Sequence, residues 1–102
     1  ITVEELYSAH EASDVAAGTK FTNKILKLTG TVDRIEIKEI LDIHYITLTS
    51  DEKNLLQTVR CTFDKTHEPE LSQLMPGQTV TVQGLYDGSI IDVRLRDCVL
   101  VR

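Results

Sequence analysis

An alternation of apolar and polar residues is the clearest pattern in this chain, and it recurs in five segments after residue 23. In the first segment the apolar residues Leu28 and Val32 occupy even-numbered positions, whereas Ile35 and Ile37 occupy odd-numbered ones. We call this even or odd position of a strand residue its parity. Because side chains alternate between the two faces of a strand, one extra residue near Asp33–Arg34 would return all four to one face. The pattern therefore predicts a long first strand with an internal β-bulge, as suits a strand that curves around a small barrel.

Four further segments with the same period predict the remaining strands. They lie at about 43–49, 55–63, 78–86 and 90–101, with turn-forming residues between them. Each segment places its larger apolar side chains on one face, which we expect to form the core. These inward residues are Ile46 and Leu48, then Val59, Cys61 and Phe63, then Val80 and Val82, and finally Ile91, Val93 and Leu95.

Helical spacing appears at the start of the chain. Thr2 and Glu5 have the spacing of a capping box, and apolar residues with a helical period follow over about 3–10. A second short turn is expected at 15–17, and it would stop at Gly18 because glycine commonly ends a helix. The first part of the chain is therefore predicted to form two short helical pieces.

A further helix is predicted between the third and fourth strands. Pro69 suits its first turn, and Leu71 and Leu74 would face the core, with the helix ending at Leu74. Pro76–Gly77 then predicts a tight turn, because proline fixes φ and glycine accepts positive φ. The chain should thus enter its fourth strand from a helix through this turn.

Five strands with a helix between the third and the fourth follow the order of an OB-fold, a five-stranded Greek-key barrel. We therefore predict a mainly β protein with an OB-fold domain at 23–102. Residues 1–22 are predicted to form a helical segment that docks on the barrel, with Phe21 as its anchor. A small open β-sandwich is the alternative, but it would not need a helix at that position.

The composition is that of an ordinary globular chain, with 102 residues of which 41% are hydrophobic and 26% charged. No apolar run approaches the roughly 20 residues of a membrane-spanning helix, so membrane contact is expected only through a lipid anchor outside this chain. Because the chain begins at Ile1 rather than Met, we expect a longer precursor that would carry any signal peptide. The net charge of −5 disfavours nucleic acid as a partner, since a sequence-independent grip on phosphates needs clustered lysine and arginine.

Residues with reactive or metal-binding side chains are few. Cys61 and Cys98 lack the spacing of a metal finger, so they are either buried free thiols or the two halves of one disulfide. His10, His44 and His67 are scattered, so no metal site is predicted. No nucleophile with a nearby histidine and no phosphate-cradling glycine loop stands out, so we expect neither catalysis nor a cofactor.

An OB-fold binds its ligands on the outer face of strands 2 and 3 and on the loops at the rim of the barrel. Here that face is predicted to carry hydroxyl groups, one aromatic ring and two guanidinium groups. Threonine is a good strand former, so a solvated sheet face, a surface for a protein or small ligand, and a nucleic-acid surface all stay open. The predicted face consists of Arg34, Tyr45, Thr47, Thr49, Thr58, Arg60 and Thr62.

A small basic stripe is predicted on the last strand, where Arg94, Arg96 and Arg102 alternate with apolar residues. Arg34 or Arg60 would extend this stripe if the strands were aligned accordingly. Two interpretations are open, namely contacts to phosphates and cross-strand partners for the chain's plentiful carboxylates.

Four runs of the chain, at 23–32, 59–63, 76–84 and 95–100, carry a family resemblance. In this order they resemble the motifs of the tRNA-anticodon-like OB-fold family of small bacterial proteins, many of them inferred to be lipoproteins. The resemblance implies an exported or envelope-attached protein. The family's likeness to anticodon-binding domains concerns the fold and does not imply RNA binding, since one fold hosts unrelated functions.

The same resemblance raises the prospect of a disulfide, because both cysteines fall in family motifs. Strands 3 and 5 are neighbours in an OB barrel, so Cys61 and Cys98 could face each other. Cys98 has the opposite parity to Leu95, so both reach the core only if a bulge lies near Arg96–Asp97.

The sequence thus predicts a non-catalytic OB-fold binding module in the cell envelope, without a cofactor. Its partner would be an unidentified protein, saccharide or small ligand on the face of strands 2 and 3. Single-stranded nucleic acid is the alternative partner.

Overall fold

Five strands close into a barrel in the computed structural model, which describes residues 1–12, 20–50, 58–87 and 93–101. The strands are β1 (Ile25–Lys38), β2 (Ile43–Thr49), β3 (Thr58–Thr62), β4 (Thr79–Tyr86) and β5 (Arg94–Val101). Their spatial order is β1-β2-β3-β5-β4, and β4 returns to pair with β1. The pair of β3 and β5 is parallel and the other pairs are antiparallel. The predicted mainly β, five-stranded barrel is confirmed.

Two short α-helices accompany the barrel, α1 (Val3–Ala12) and α2 (Glu68–Leu71), and two single 3-10 turns lie at Glu39–Leu41 and Lys65–His67 in the described residues. The capping box of α1 is confirmed. The backbone N–H of Thr2 donates to Glu5 Oε1, and the N–H of Glu5 donates to Thr2 Oγ1, both at 3.2 Å. The turn predicted at 15–17 and the predicted inward residue Ile91 lie outside the described residues.

The helix between β3 and β4 is present but shorter than predicted. It begins with Pro69 in its first turn and ends at Leu71 rather than at Leu74. Leu71 is fully buried, whereas Leu74 is half-buried in the turn that follows. The predicted turn at Pro76–Gly77 is anchored on β1, because the N–H of Gly77 donates to the carbonyl of Val32 at 2.7 Å.

The bulge predicted in the first strand is confirmed. Val32 pairs with Leu48 and Arg34 pairs with Thr47, so Asp33 is the extra residue between two consecutive partners on β2. From Ile25 to Thr31 β1 pairs with β4, and from Thr31 to Lys38 it pairs with β2. One strand therefore takes part in both halves of the barrel.

The core fills the barrel and extends to the N-terminal segment. Val3 and Leu6 of α1 are fully buried in it, and Phe21 packs its ring 5.7 Å from that of Tyr86. Gly30 permits this packing, because a Cβ at that position would lie 2.7 Å from Val3 Cγ2. The buried apolar residues are Val3, Leu6, Phe21, Leu28, Val32, Ile46, Leu48, Val59, Cys61, Phe63, Leu71, Val82, Tyr86, Val93, Leu95 and Cys98.

A second bulge lies on β5, as the parity of Cys98 required. Three steps along β5, from Arg96 to Val99, match two steps along β4, and Asp97 has a positive φ of 50°. Asp is one of the residues that adopt this conformation most readily. The bulge turns both Leu95 and Cys98 into the core.

The two cysteines are free and buried side by side in this structure. A hydrogen bond with Cys98, together with burial, raises the pKa of the Cys61 thiol well above its usual range. The disulfide between these residues stays a prediction.

We predict that replacing Gly84 with alanine destabilises the barrel through the Cys98 side chain. A Cβ at Gly84 would lie 2.5 Å from Cys98 Sγ and 3.1 Å from the carbonyl oxygen of Arg96. Overpacking of this kind costs about 1–3 kcal/mol in the free energy of unfolding. In urea denaturation, Gly84→Ala should lower the free energy of unfolding by less when it is introduced into a Cys98→Ala background. Equal costs in the two backgrounds would show that the thiol is not the obstacle.

Candidate functional site

The strand register places three of the seven predicted face residues in one row, and Arg94 extends this row to a fourth strand. Arg34 on β1 pairs with Thr47 on β2, which pairs with Arg60 on β3, which pairs with Arg94 on β5. Neighbouring strands are about 4.8 Å apart, so this arginine row spans about 14 Å. Three arginines therefore occupy aligned backbone positions across the outer face of the sheet.

Arg34 forms the β1 end of the arginine row and is exposed. Its Nη2 lies 2.9 Å from Glu36 Oε1, with 67% of the arginine side chain in contact with solvent. A surface ion pair of this kind contributes about 0–1 kcal/mol, so it is readily exchanged for another anion. The hydroxyl of Thr47 accepts from the Arg34 N–H at 3.1 Å and lies 3.5 Å from Asp33 Oδ2, so it secures the bulge.

Arg60 lies in the middle of the row, and its guanidinium covers the ring of Tyr45. The guanidinium carbon is 4.5 Å from the ring centroid, which is a cation–π geometry. Within the part of the chain that the structure describes, no carboxylate pairs with Arg60. Arg60 also stands directly opposite Arg94, an arrangement of like charges that destabilises a sheet.

Arg94 forms the β5 end of the row and is tied to the turn after β4. Its Nε donates to the carbonyl of Asp87 at 3.0 Å and lies 3.6 Å from Asp87 Oδ2. The ion-pair interpretation of the basic stripe thus applies to Arg94. Arg60 extends the stripe through its register with Arg94, Arg96 is exposed two residues further along β5, and Arg102 lies outside the described residues.

The remaining residues of the predicted face divide into an accessible and a covered group. Tyr45 pairs with Thr62 beside the arginine row, and Thr62 is exposed. The expectation that Thr49 is exposed is wrong, because only 5% of it is accessible and its hydroxyl lies 3.4 Å from the carbonyl oxygen of Thr31. Its neighbour Thr58 is half-buried, and the hydroxyl of Tyr7 on α1 donates to the Thr58 carbonyl. Packing of α1 at this end of the sheet explains the difference.

A cluster of titratable side chains at one end of the barrel was not predicted from the sequence. His44 is only 3% exposed, with Nδ1 3.6 Å from Asp42 Oδ1 and Nε2 3.5 Å from Glu68 Oε2. Glu68 also shares a hydrogen bond with Glu39, on the turn between β1 and β2. The burial of His44 could have been predicted, because it has the same parity as Ile46. The cluster itself depends on contacts between α2 and a distant turn.

The hydrogen bond with Glu68 and the negative charge of that residue raise the pKa of Glu39. Nothing in the described residues groups three His, Cys, Asp or Glu side chains in a way that could hold a metal ion. Among the helices that the structure describes, none has the length and apolar character needed to cross a membrane.

An open groove of about 450 Å³ lies at another end of the barrel, between α2 and the strands β4 and β5. Its polar lining consists mainly of amides and hydroxyls rather than guanidinium groups. The lining residues include Glu70, Gln73, Leu74, Gln78, Thr79 and Leu100. The concentration of positive charge is therefore a property of the sheet face and not of this groove.

Comparison with protein families matches residues 1–99 to the tRNA_anti-like family. The chain belongs to this family, which confirms the resemblance found in its sequence motifs. Comparison with curated proteins gives no match.

Solved structures share the fold. A "putative nucleic acid-binding lipoprotein" from Klebsiella pneumoniae is similar over 100% of this chain and 92% of its own, with a TM-score of 0.81 and 16% identity. The Stn1-Ten1 complex of S. pombe contains a chain that is similar over 76% of this one, with a TM-score of 0.57 and 21% identity. This chain spans 58% of the length of that neighbour. At such low identities the comparisons establish the fold only, so the ligand must be inferred from the side chains of this chain.

We predict that Glu39→Gln makes the protein more stable at neutral pH. The raised pKa of Glu39 means that folding favours its protonated form, so its contribution to stability is present in acid and is lost as the pH rises through the raised pKa. Glutamine keeps a hydrogen-bond donor for Glu68 and removes the repulsion. Thermal unfolding across pH should show a stabilisation that shrinks towards acid, and a stabilisation independent of pH would contradict this explanation.

Proposed function

We propose that this chain is a non-catalytic OB-fold binding module that holds single-stranded nucleic acid on the outer face of β1, β2, β3 and β5. The observation that carries the proposal is the arginine row formed by Arg34, Arg60 and Arg94. Guanidinium groups bind phosphates through charge-assisted hydrogen bonds, and a line of three suits an extended chain of phosphates. The name of the Klebsiella neighbour supports the same ligand class.

The opposed pair of Arg60 and Arg94 favours an anionic ligand over an uncharged one. Two guanidinium groups on directly paired residues repel each other, and among the described residues only Arg94 has a carboxylate close by. An anion between them would remove this repulsion. An uncharged saccharide or an apolar protein surface would leave the repulsion in place and would also desolvate both groups.

The overall charge limits how strong such binding can be. With a net charge of −5 the protein as a whole repels a polyanion, so its affinity must come from charges close to the bound phosphates. At physiological salt, charges more than about 8 Å away are largely screened, which restricts the distant carboxylates to a small effect. We therefore expect weak binding that decreases as the salt concentration is raised.

We also propose that the protein acts at the cell envelope, either exported or lipid-anchored. The family resemblance and the name of the Klebsiella neighbour as a lipoprotein support this location. Fractionation of the producing cells would test it, and recovery of the protein in the cytosolic fraction alone would contradict it.

Fluorescence anisotropy with a labelled oligothymidylate at low salt tests the proposed ligand. Arg60→Ala should weaken binding about tenfold, because hydrogen bonds to charged groups contribute about 1.5–3 kcal/mol. Lys27→Ala is the matched control, since Lys27 is exposed on the half of β1 that pairs with β4 and its loss changes the net charge equally. The proposal fails if the oligonucleotide does not bind at low salt, or if the two variants bind it equally.

A further inference from the structure

The chain has few aromatic side chains, and nearly all of them are committed to its interior. It contains three tyrosines, two phenylalanines and no tryptophan. Phe21, Phe63 and Tyr86 are buried in the core. Tyr7 belongs to α1, where its hydroxyl donates to the Thr58 carbonyl. Tyr45 is therefore the aromatic residue of the binding face.

Tyr45 is already covered by a protein group. The guanidinium carbon of Arg60 lies 4.5 Å from the centre of the Tyr45 ring, in the place that a stacked base would take. OB-fold proteins that bind single strands usually stack successive bases on aromatic rings, and each such base strengthens binding by about fivefold or more. This face has no second ring to continue such a stack.

We infer that the binding face holds its ligand through phosphate groups alone, along the arginine row, and that Tyr45 is a positioning residue for Arg60. The ligand class is thus a chain of phosphates, irrespective of the bases attached to it. This inference rests on the proposed function and specifies how the ligand is recognised.

The arrangement of the row supports a contact to phosphates. Arg34, Arg60 and Arg94 point from three strands, each fixed by a different neighbour: Glu36, the Tyr45 ring and Asp87. A flat ring beneath Arg60 orients the guanidinium plane and leaves its N–H groups free to donate at the edge. Salt dependence should reflect this small number of contacts. With at most three phosphates neutralised, the logarithm of the binding constant should fall with the logarithm of salt with a slope of about −2.

Competition against the labelled oligothymidylate tests the inference. The competitors are unlabelled oligothymidylate, an abasic phosphodiester strand of the same length, and linear inorganic polyphosphate. We expect the abasic strand to compete within about threefold of the intact strand, and polyphosphate to displace the probe. An abasic strand that competes more than about tenfold less well would overturn the inference and leave the proposed function intact. A probe that does not bind at all would defeat both.

Variants of Tyr45 distinguish two roles of its ring, positioning Arg60 and stacking a base. Tyr45→Phe keeps the ring and should bind both strands as the unaltered protein does. Tyr45→Leu should weaken the intact and the abasic strand equally, by about two- to fivefold, because a cation–π contact at an exposed site has about that effect. If Tyr45→Leu weakens only the intact strand, the ring stacks a base and the inference is wrong. Because both strands are compared on one variant, altered stability cannot produce this difference.

Discussion

The barrel depends on the ability of β1 to pair with two different strands along its length. Ile25 to Thr31 face β4, and Thr31 to Lys38 face β2, so Thr31 belongs to both ladders. A regular strand could not do this with its apolar side chains on one face throughout. The bulge at Asp33 restores the parity, so that Ile35 pairs with the buried Ile46. The same bulge places Arg34 outward beside Thr47, and thus creates the first position of the arginine row.

Features that follow from alternation within a single segment could be predicted from the sequence. The bulge in β1, the bulge that brings Cys98 into the core, and the capping box at Thr2 are all local patterns. Thr49 shows where this reasoning stops. Its parity alone indicates an outward position, but its burial depends on how α1 packs against the sheet, which no local pattern encodes. The length of α2 is a similar case, because Leu74 lies in a turn that still packs against the core.

The arginine row could not be predicted for a different reason. Its central contact is the pairing of Arg60 with Arg94, which lie on parallel strands that are distant in sequence. Alternation indicates which residues of a strand face outward, but it does not indicate which residue of one strand stands beside a given residue of another. A shift of the register by two residues would keep every side chain on its face and would separate these two guanidinium groups. Register is therefore the information that turns a scattered set of arginines into a site.

Net charge and local charge lead to different expectations for this protein, and the proposed function follows the local arrangement. A count over the whole chain gives −5 and argues against a polyanion. Among the described residues, Arg34 lies beside the carboxylate of Glu36 and Arg94 beside that of Asp87, whereas Arg60 rests on an aromatic ring, which carries no negative charge. The ring of Tyr45 thus holds a guanidinium that no carboxylate in the described part of the chain pairs with, because the ring supplies attraction without neutralisation. The residue that would ordinarily indicate base stacking on an OB-fold is here what keeps a positive charge available.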